Sequence, residues 1–377
     1  MGGRNMRLRV DFQDGTLEFD GAEDRLAAAF EGPADAPAAP LPGRLRDALD
    51  APTGYPPLRL VVVPGDRVVV PVDRGLPDAD AFLAAVAVIL RDADVASITA
   101  LVDGREAYPR ELALPTGVDL VVHDPADRES LAYLANTEAG RRIYLQRLLA
   151  DADCVVPIGR IGLDSTGYRG PWSVIEPGLG DSARPTPALL DGRDPATLGL
   201  DESIEVSWLL GSQFQVGGIP GRSGTLHVLA GETKAIRDRG VALLEESWRV
   251  TADDRADLVI VGIGGPGRAA SAEGLVAGLR NAFRVVRRGG KVALLTRAGI
   301  ATIREAVAGD LLPDGDWAKA QAWADVYLAS TAPADEVDDL GFVPLDRPEQ
   351  AVRLANAAPS LVTIGQADFA FATAPPR

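Results

Sequence analysis

The chain has 377 residues, of which 46% are hydrophobic and 24% charged, so it fits a folded protein of two domains better than one core or a disordered chain. Its formal net charge of -16 argues against partners that attract clustered basic residues, so no nucleic acid and no membrane surface is expected as a partner. A single cysteine, Cys154, excludes an intrachain disulfide and a multi-thiolate metal site; no signal-peptide core or membrane-length apolar run is visible, and the expected location is cytoplasmic.

Residues 6 to 20, MRLRVDFQDGTLEFD, alternate apolar and polar side chains around an Asp-Gly turn, which predicts an N-terminal β-hairpin. The Pro/Ala-rich GPADAPAAPLPG reads as an irregular connection, and GRLRDALDAP as a short helix. From residue 58, LRLVVVPGDRVVVPV, DADAFLAAVAVILRDA, ASITALVDG and VDLVVHD read as strand, helix, strand and strand, followed by a helix at about 138 to 150 and the strand DCVVPIG. Continuous Val/Ile/Leu strands alternating with helices predict an α/β fold with largely parallel sheets covered on both faces. The Gly/Pro-rich stretch from 159 to 200 is long for a connection, and such loops are usually functional or disordered.

After the helical TKAIRDRGVALLEESW, a second α/β unit runs through DLVIVGI, SAEGLVAGLRNAFRVV, KVALLT, GIATIREAVAG, DWAKAQAWADVYLAS and SLVTIG. The domain boundary is therefore set near 250, giving domains 1–250 and 251–377. Whether the tail from 350 packs back on the first domain is left open.

GIGGPG, with Gly264 and Gly265, lies between a strand and a helix, where backbone N–H groups favour an anion; it reads either as a nucleotide-binding turn or as a tight structural turn. Pro266 removes one donor, and the next strand ends in Thr296 and Arg297 instead of the acidic residue that a ribose needs. His123 and His227 lie far apart without metal-ligand spacing and read as structural, as Cys154 reads as an inert core thiol. The only lysines are Lys234, Lys291 and Lys319, which limits any lysine-tethered chemistry to those three.

The order of segments carries more information than any single motif. RDALDAPTGYPPLRLVVVPGDRVVVPVD, then VVHDPADRESLAYLANTEAGRRIYLQRLLADADCVVPIGRI, then GYRGPWSVIEPG, LHVLAGETKAIRDRGVALLEESWRV and ADLVIVGIGGPG resemble, in collinear order over residues 6 to 300, the nickel-pincer-nucleotide-dependent lactate racemase family. That resemblance implies two α/β domains facing each other across a cleft and, in active members, a nickel pincer cofactor that accepts and returns a hydride while histidines exchange a proton.

The chain departs from the family where that chemistry resides. The family's GFSGGRKAIMPG corresponds to GYRGPWSVIEPG, which puts Ser173 at the cofactor-bearing lysine, with Trp172 beside it and Leu163 at a catalytic histidine. No histidine occurs from 179 to 226 to ligate nickel; VDRGLPDAD keeps Asp73 of the substrate loop but not its Arg-Pro pair in register, VDGREAYP lacks the histidine of the Gly-Thr-His-Arg segment, and the cofactor-facing glutamine and lysine fall on Gly274 and Ala277.

These departures point to a lactate-racemase-like protein without nickel-pincer chemistry: no cofactor, no metal, and a pseudoenzyme or regulatory subunit binding a small carboxylate or a nucleotide, with a homo-oligomer or an active paralogue as a further partner. The expected ligand-binding residues are Arg74, Arg105, Arg169, Trp172, Ser173, Gly264 and Gly265, with arginines to pair a carboxylate and Trp172 as an exposed anchor for a partner. The alternative is an isomerase or lyase acting on a 2-hydroxy acid through a rebuilt site, with Asp73, Asp164, Glu106 or Glu176 as base.

Overall fold

The strand Ala256–Gly262, ADLVIVG, is buried along its whole length, and its two faces serve different cores. Val259 and Val261 point toward the helix Ala272–Val285 with Leu275, Leu279 and Phe283, while Leu258 and Ile260 point toward Leu8, Val10 and Phe12 of an N-terminal hairpin. A strand covered on both sides has no solvent face, hence its unbroken apolar run. It sits in a parallel sheet of order Val343–Leu345, Asp325–Ala329, Val286–Leu295, Ala256–Gly262, Leu361–Ile364, Leu26–Phe30. The computed structural model describes residues 4–104, 111–164, 167–181, 188–190, 201–265, 270–309 and 311–375.

The hairpin pairs Asn5–Phe12 with Gly15–Ala22, as its alternation predicts. An isolated hairpin is marginal in water, but burying Leu8, Val10, Phe12, Leu17 and Phe19 contributes about 1.5–3 kcal/mol for each side chain, which anchors it to the second sheet. The approach is close: a Cβ on Gly262 would lie 2.1 Å from the Asp11 carbonyl oxygen.

The first sheet is also parallel, in the order Val118–His123, Ser97–Asp103, Arg67–Pro71, Cys154–Val155. The helix Ala79–Asp92 covers it with Phe82, Leu83, Val86, Ala87 and Leu90. A mixed sheet of Ile158–Arg160, Phe214–Pro220 and Thr225–Glu232 continues it toward the helix Thr233–Trp248.

Several elements differ from the sequence expectation. The strand expected from residue 58 begins only at Arg67; Leu58–Leu60 is a short 3-10 turn, and Gly65 takes a positive φ of 91° ahead of the strand. The helix expected at 138 to 150 is replaced by an antiparallel hairpin, Leu131–Asn136 with Arg142–Gln146, and a short helix Arg147–Asp151. Gly140, at φ 82°, closes the turn, and Tyr133 and Tyr144 pair edge-to-face across the strands with centroids 5.7 Å apart.

The sheets do not divide at residue 250. Residues 5–30 precede the first sheet in sequence but pack with the second, because Leu26–Phe30 pairs with Leu361–Ile364. The tail lies in the same sheet, and its last strand, Phe371–Thr373, pairs with Arg249–Thr251 at the end of the crossover helix. Trp248 joins the units: its indole donates to the Pro220 carbonyl at 2.8 Å and meets the rings of Phe30 and Phe369 at 6.1 and 5.8 Å.

Cys154 is half-buried; burial and the nearby Asp66 push its thiol up to about 11. At pH 8 the native protein should therefore react with a thiol reagent on the order of 100-fold more slowly than the unfolded chain, since only the thiolate is nucleophilic. Equal labelling rates in buffer and in denaturant would refute this.

Candidate functional site

The loop GYRGPWSVIEPG is built as a brace. Its first strand, Gly167–Arg169, pairs back on Gly162–Asp164, and Pro171–Ile175 forms a single helical turn. Gly170 is required here, because a Cβ at that position would lie 2.4 Å from the Trp172 ring. The Ser173 hydroxyl accepts the Gly170 N–H at 3.3 Å, closing the turn. Glu176 is buried and accepts from Arg141 Nη2 at 2.7 Å, and His123 donates from Nε2 to the Gly180 carbonyl at 3.1 Å. His123 thus makes the hydrogen bond expected of it, and the Glu176 carboxylate is engaged by Arg141.

Trp172, expected as an exposed anchor, is fully buried. It packs against Ile236 of the crossover helix, with Tyr168, Ile204 and Leu229 around it. Sequence places it in a loop, but three later segments close over that loop.

Asp73 follows the strand Arg67–Pro71 and is almost wholly buried. Its Oδ1 accepts from the Gly75 N–H at 2.8 Å; its Oδ2 accepts from the Arg160 N–H at 3.1 Å and from Arg169 Nη2 at 3.3 Å. Burial works to raise its pKa, but the Arg169 and Arg160 guanidinium groups together with the two backbone donors prevail and hold it below the ordinary carboxylate value. Asp73 is therefore a fixed anion. A general base needs the opposite shift.

Two groups join this cluster that the sequence did not single out. Arg160 ends the strand Ile158–Arg160, and its guanidinium carbon lies 4.3 Å from the centroid of Phe369, which follows the strand Leu361–Ile364 of the other sheet. Asp73, Arg160 and Phe369 thus lie beyond the carboxyl ends of parallel strands from both units, where open α/β sheets bind ligands. An arginine at a strand end was the available signal for Arg160; Phe369, in the tail, gave none. Arg74 adjoins Asp73 in the chain, whereas Arg105, Glu106 and the Asp164 side chain lie outside the described residues.

The glycine turn meets the same region. Gly264, at φ 79°, donates its N–H to Asp368 Oδ1 at 2.9 Å, and Ser271 caps the following helix by accepting from the Gly274 N–H at 3.0 Å. A carboxylate already occupies the direction from which a phosphate would take the Gly264 donor, and its charge opposes one. Of the two readings of this turn, the geometry favours the structural one.

His227, on Thr225–Glu232, is held below its ordinary pKa by burial first and then by Arg239 and Arg44. Among the described residues no group of three or more histidine, cysteine, aspartate or glutamate side chains is placed to hold a metal ion, and no helix is long and apolar enough to cross a membrane.

Residues 12–184 match the lactate racemase N-terminal domain family. The fold resembles that of the lactate racemase apoprotein from Thermoanaerobacterium thermosaccharolyticum, with a TM-score of 0.75 at 16% identity over 97% of this chain and 100% of that one. It also resembles a Thermotoga maritima protein, with a TM-score of 0.62 at 12% identity over 90% and 100% of the two chains. No curated protein matches the chain.

Proposed function

We propose, from the match of residues 12–184 to the lactate racemase N-terminal domain and from the likeness of the fold, that this lactate-racemase-like chain binds a small carboxylate at the Asp73 cluster without using the nickel pincer cofactor. One observation carries this reading: Arg169 and Arg160 converge on one buried carboxylate at the carboxyl ends of the strands. Asp73 accepts from Arg169 Nη2, and the planar fork of a guanidinium is the geometry that pairs bidentately with a carboxylate.

The residues at the family's cofactor positions do not fit that group. Ser173 offers a hydroxyl engaged in closing its own turn, and Leu163 lies in the apolar cluster with Ile161, Ile219, Trp248 and Ile263. The chain's only imidazoles are on His123, bound to Gly180, and on His227, on a different strand. A soft, borderline metal lacks both its nitrogen ligands and its tether.

The alternative of an enzyme with a rebuilt site needs a carboxylate of raised pKa. Asp73 is shifted the other way, and Glu176 is paired with Arg141, so neither supports it. Pairing with an active paralogue through Trp172 loses its motive, because that side chain is buried.

Titration of the purified protein with L-lactate, D-lactate and AMP tests the proposal. A carboxylate should raise the melting temperature where AMP does not, and Arg169→Lys, which keeps the charge but loses the fork, should weaken binding about tenfold or more. Absence of any shift with both lactates would count against carboxylate binding. Native mass spectrometry after co-production with the pincer biosynthetic enzymes should find an empty chain, and a bound nickel pincer would overturn the cofactor reading.

A further inference from the structure

We infer that Phe369 is a positioning residue for this anion site, acting through Arg160, so that a residue of the second unit sets the affinity of a site whose charged groups belong to the first. The inference rests on the carboxylate-binding reading above and adds to it how the site is assembled.

The face of Phe369 lies against the Arg160 guanidinium, with 4.3 Å from the guanidinium carbon to the ring centroid. An arginine has several rotatable bonds; a ring face against its guanidinium carbon restricts the directions its donors can take. The Arg160 backbone N–H is meanwhile committed to Asp73 at 3.1 Å. The residue thus has its backbone tied to the first unit and its head in contact with the second.

The turn carrying Phe369 is rigidly defined. Gln366 takes a positive φ of 51°, which is uncommon for a residue other than glycine and persists only where the surroundings enforce it. Its side chain donates to the Arg222 carbonyl at 3.0 Å, the Ala367 N–H donates to the Gly262 carbonyl at 2.8 Å, and Asn281 Nδ2 donates to the carbonyls of Ala367 and Ala370, each at 2.8 Å. Behind the ring, Trp248 meets Phe369 at 82° and Phe30 meets Trp248, so an aromatic row runs from the N-terminal strand to the arginine. An apolar ring needed only for the core would be served by any packing direction; this one has its face on a guanidinium.

The test uses the full chain and L- and D-lactate as probes, read by calorimetric titration, with far-ultraviolet circular dichroism to confirm folding. Phe369→Leu should weaken binding of whichever isomer binds wild type by roughly tenfold, while Phe369→Tyr, which keeps the ring face, should restore it. In an Arg160→Lys background, which removes the planar partner, Phe369→Leu should have little further effect. A folded Phe369→Leu variant that titrates like wild type would overturn the inference and leave the carboxylate reading standing, as would equal losses in the Arg160 and Arg160→Lys backgrounds. A wild type that binds neither isomer removes the carboxylate reading itself, and this inference with it.

Discussion

Asp73→Ala should lower the unfolding free energy by about 3–5 kcal/mol, the range expected when one partner of a buried ion pair is removed and the other charge stays behind. Arg169 is itself largely buried, with a side-chain exposure of 13%, so it would lose its carboxylate with little water in exchange. The variant would also strand the Gly75 and Arg160 N–H groups, which donate to the same carboxylate. Asp73→Asn keeps an acceptor and should cost less, which separates the hydrogen bonds from the charge. Chemical denaturation of the three proteins is the measurement, and an alanine variant within about 0.5 kcal/mol of wild type would refute the anchor role.

The same pair predicts a pH dependence. The folded pKa of Asp73 lies below the unfolded value, so its contribution is fully present above the unfolded pKa of about 4 and is lost as pH falls through the lower folded value. The stability gap between wild type and Asp73→Asn should therefore stay constant from neutral pH down to about 5 and narrow below about 4. A gap that widens on acidification would mean that the carboxylate is held protonated in the native state, as a catalytic acid would be.

How much of this was legible in the sequence depended on how far each feature's partners lie along the chain. The strand Ala256–Gly262 and the helices Ala79–Asp92, Thr233–Trp248 and Ala272–Val285 declare themselves locally, through unbroken apolar runs or helical spacing. The stretch 131–146 is ambiguous because its apolar residues suit either period; the Tyr133–Tyr144 pair and the Gly140 turn decide it. Leu26–Phe30, an alanine-rich segment, becomes a strand only because Leu361–Ile364 offers an edge. In the site, Asp73 and Arg169 were readable from the loop frames that contain them. Arg160 reaches Asp73 from a strand end, but its contact with Phe369 has no local signature, because no local pattern foretells a contact between a strand end in one unit and a turn in the other.

Trp172 is where a loop setting misled most, and it gives the second large expected effect. Trp172→Ala should cost about 3–5 kcal/mol, because the side chain is completely buried against Ile236 and Leu229 and its loss leaves a cavity. The indole also carries a cost of its own: Nε1 is buried and meets no hydrogen-bond acceptor among the described residues. Trp172→Phe removes that unsatisfied donor while keeping most of the apolar ring, so the two effects oppose each other and the net loss should be less than half that of alanine. An exposed docking residue would behave otherwise, with both variants folding as stably as wild type. Equilibrium unfolding distinguishes the two roles, and a large loss for alanine with a small one for phenylalanine would identify the loop as a brace between the first unit and the crossover helix. In that case the glycines and prolines of GYRGPWSVIEPG serve the path of the chain, as Gly170 does by leaving room for the Trp172 ring.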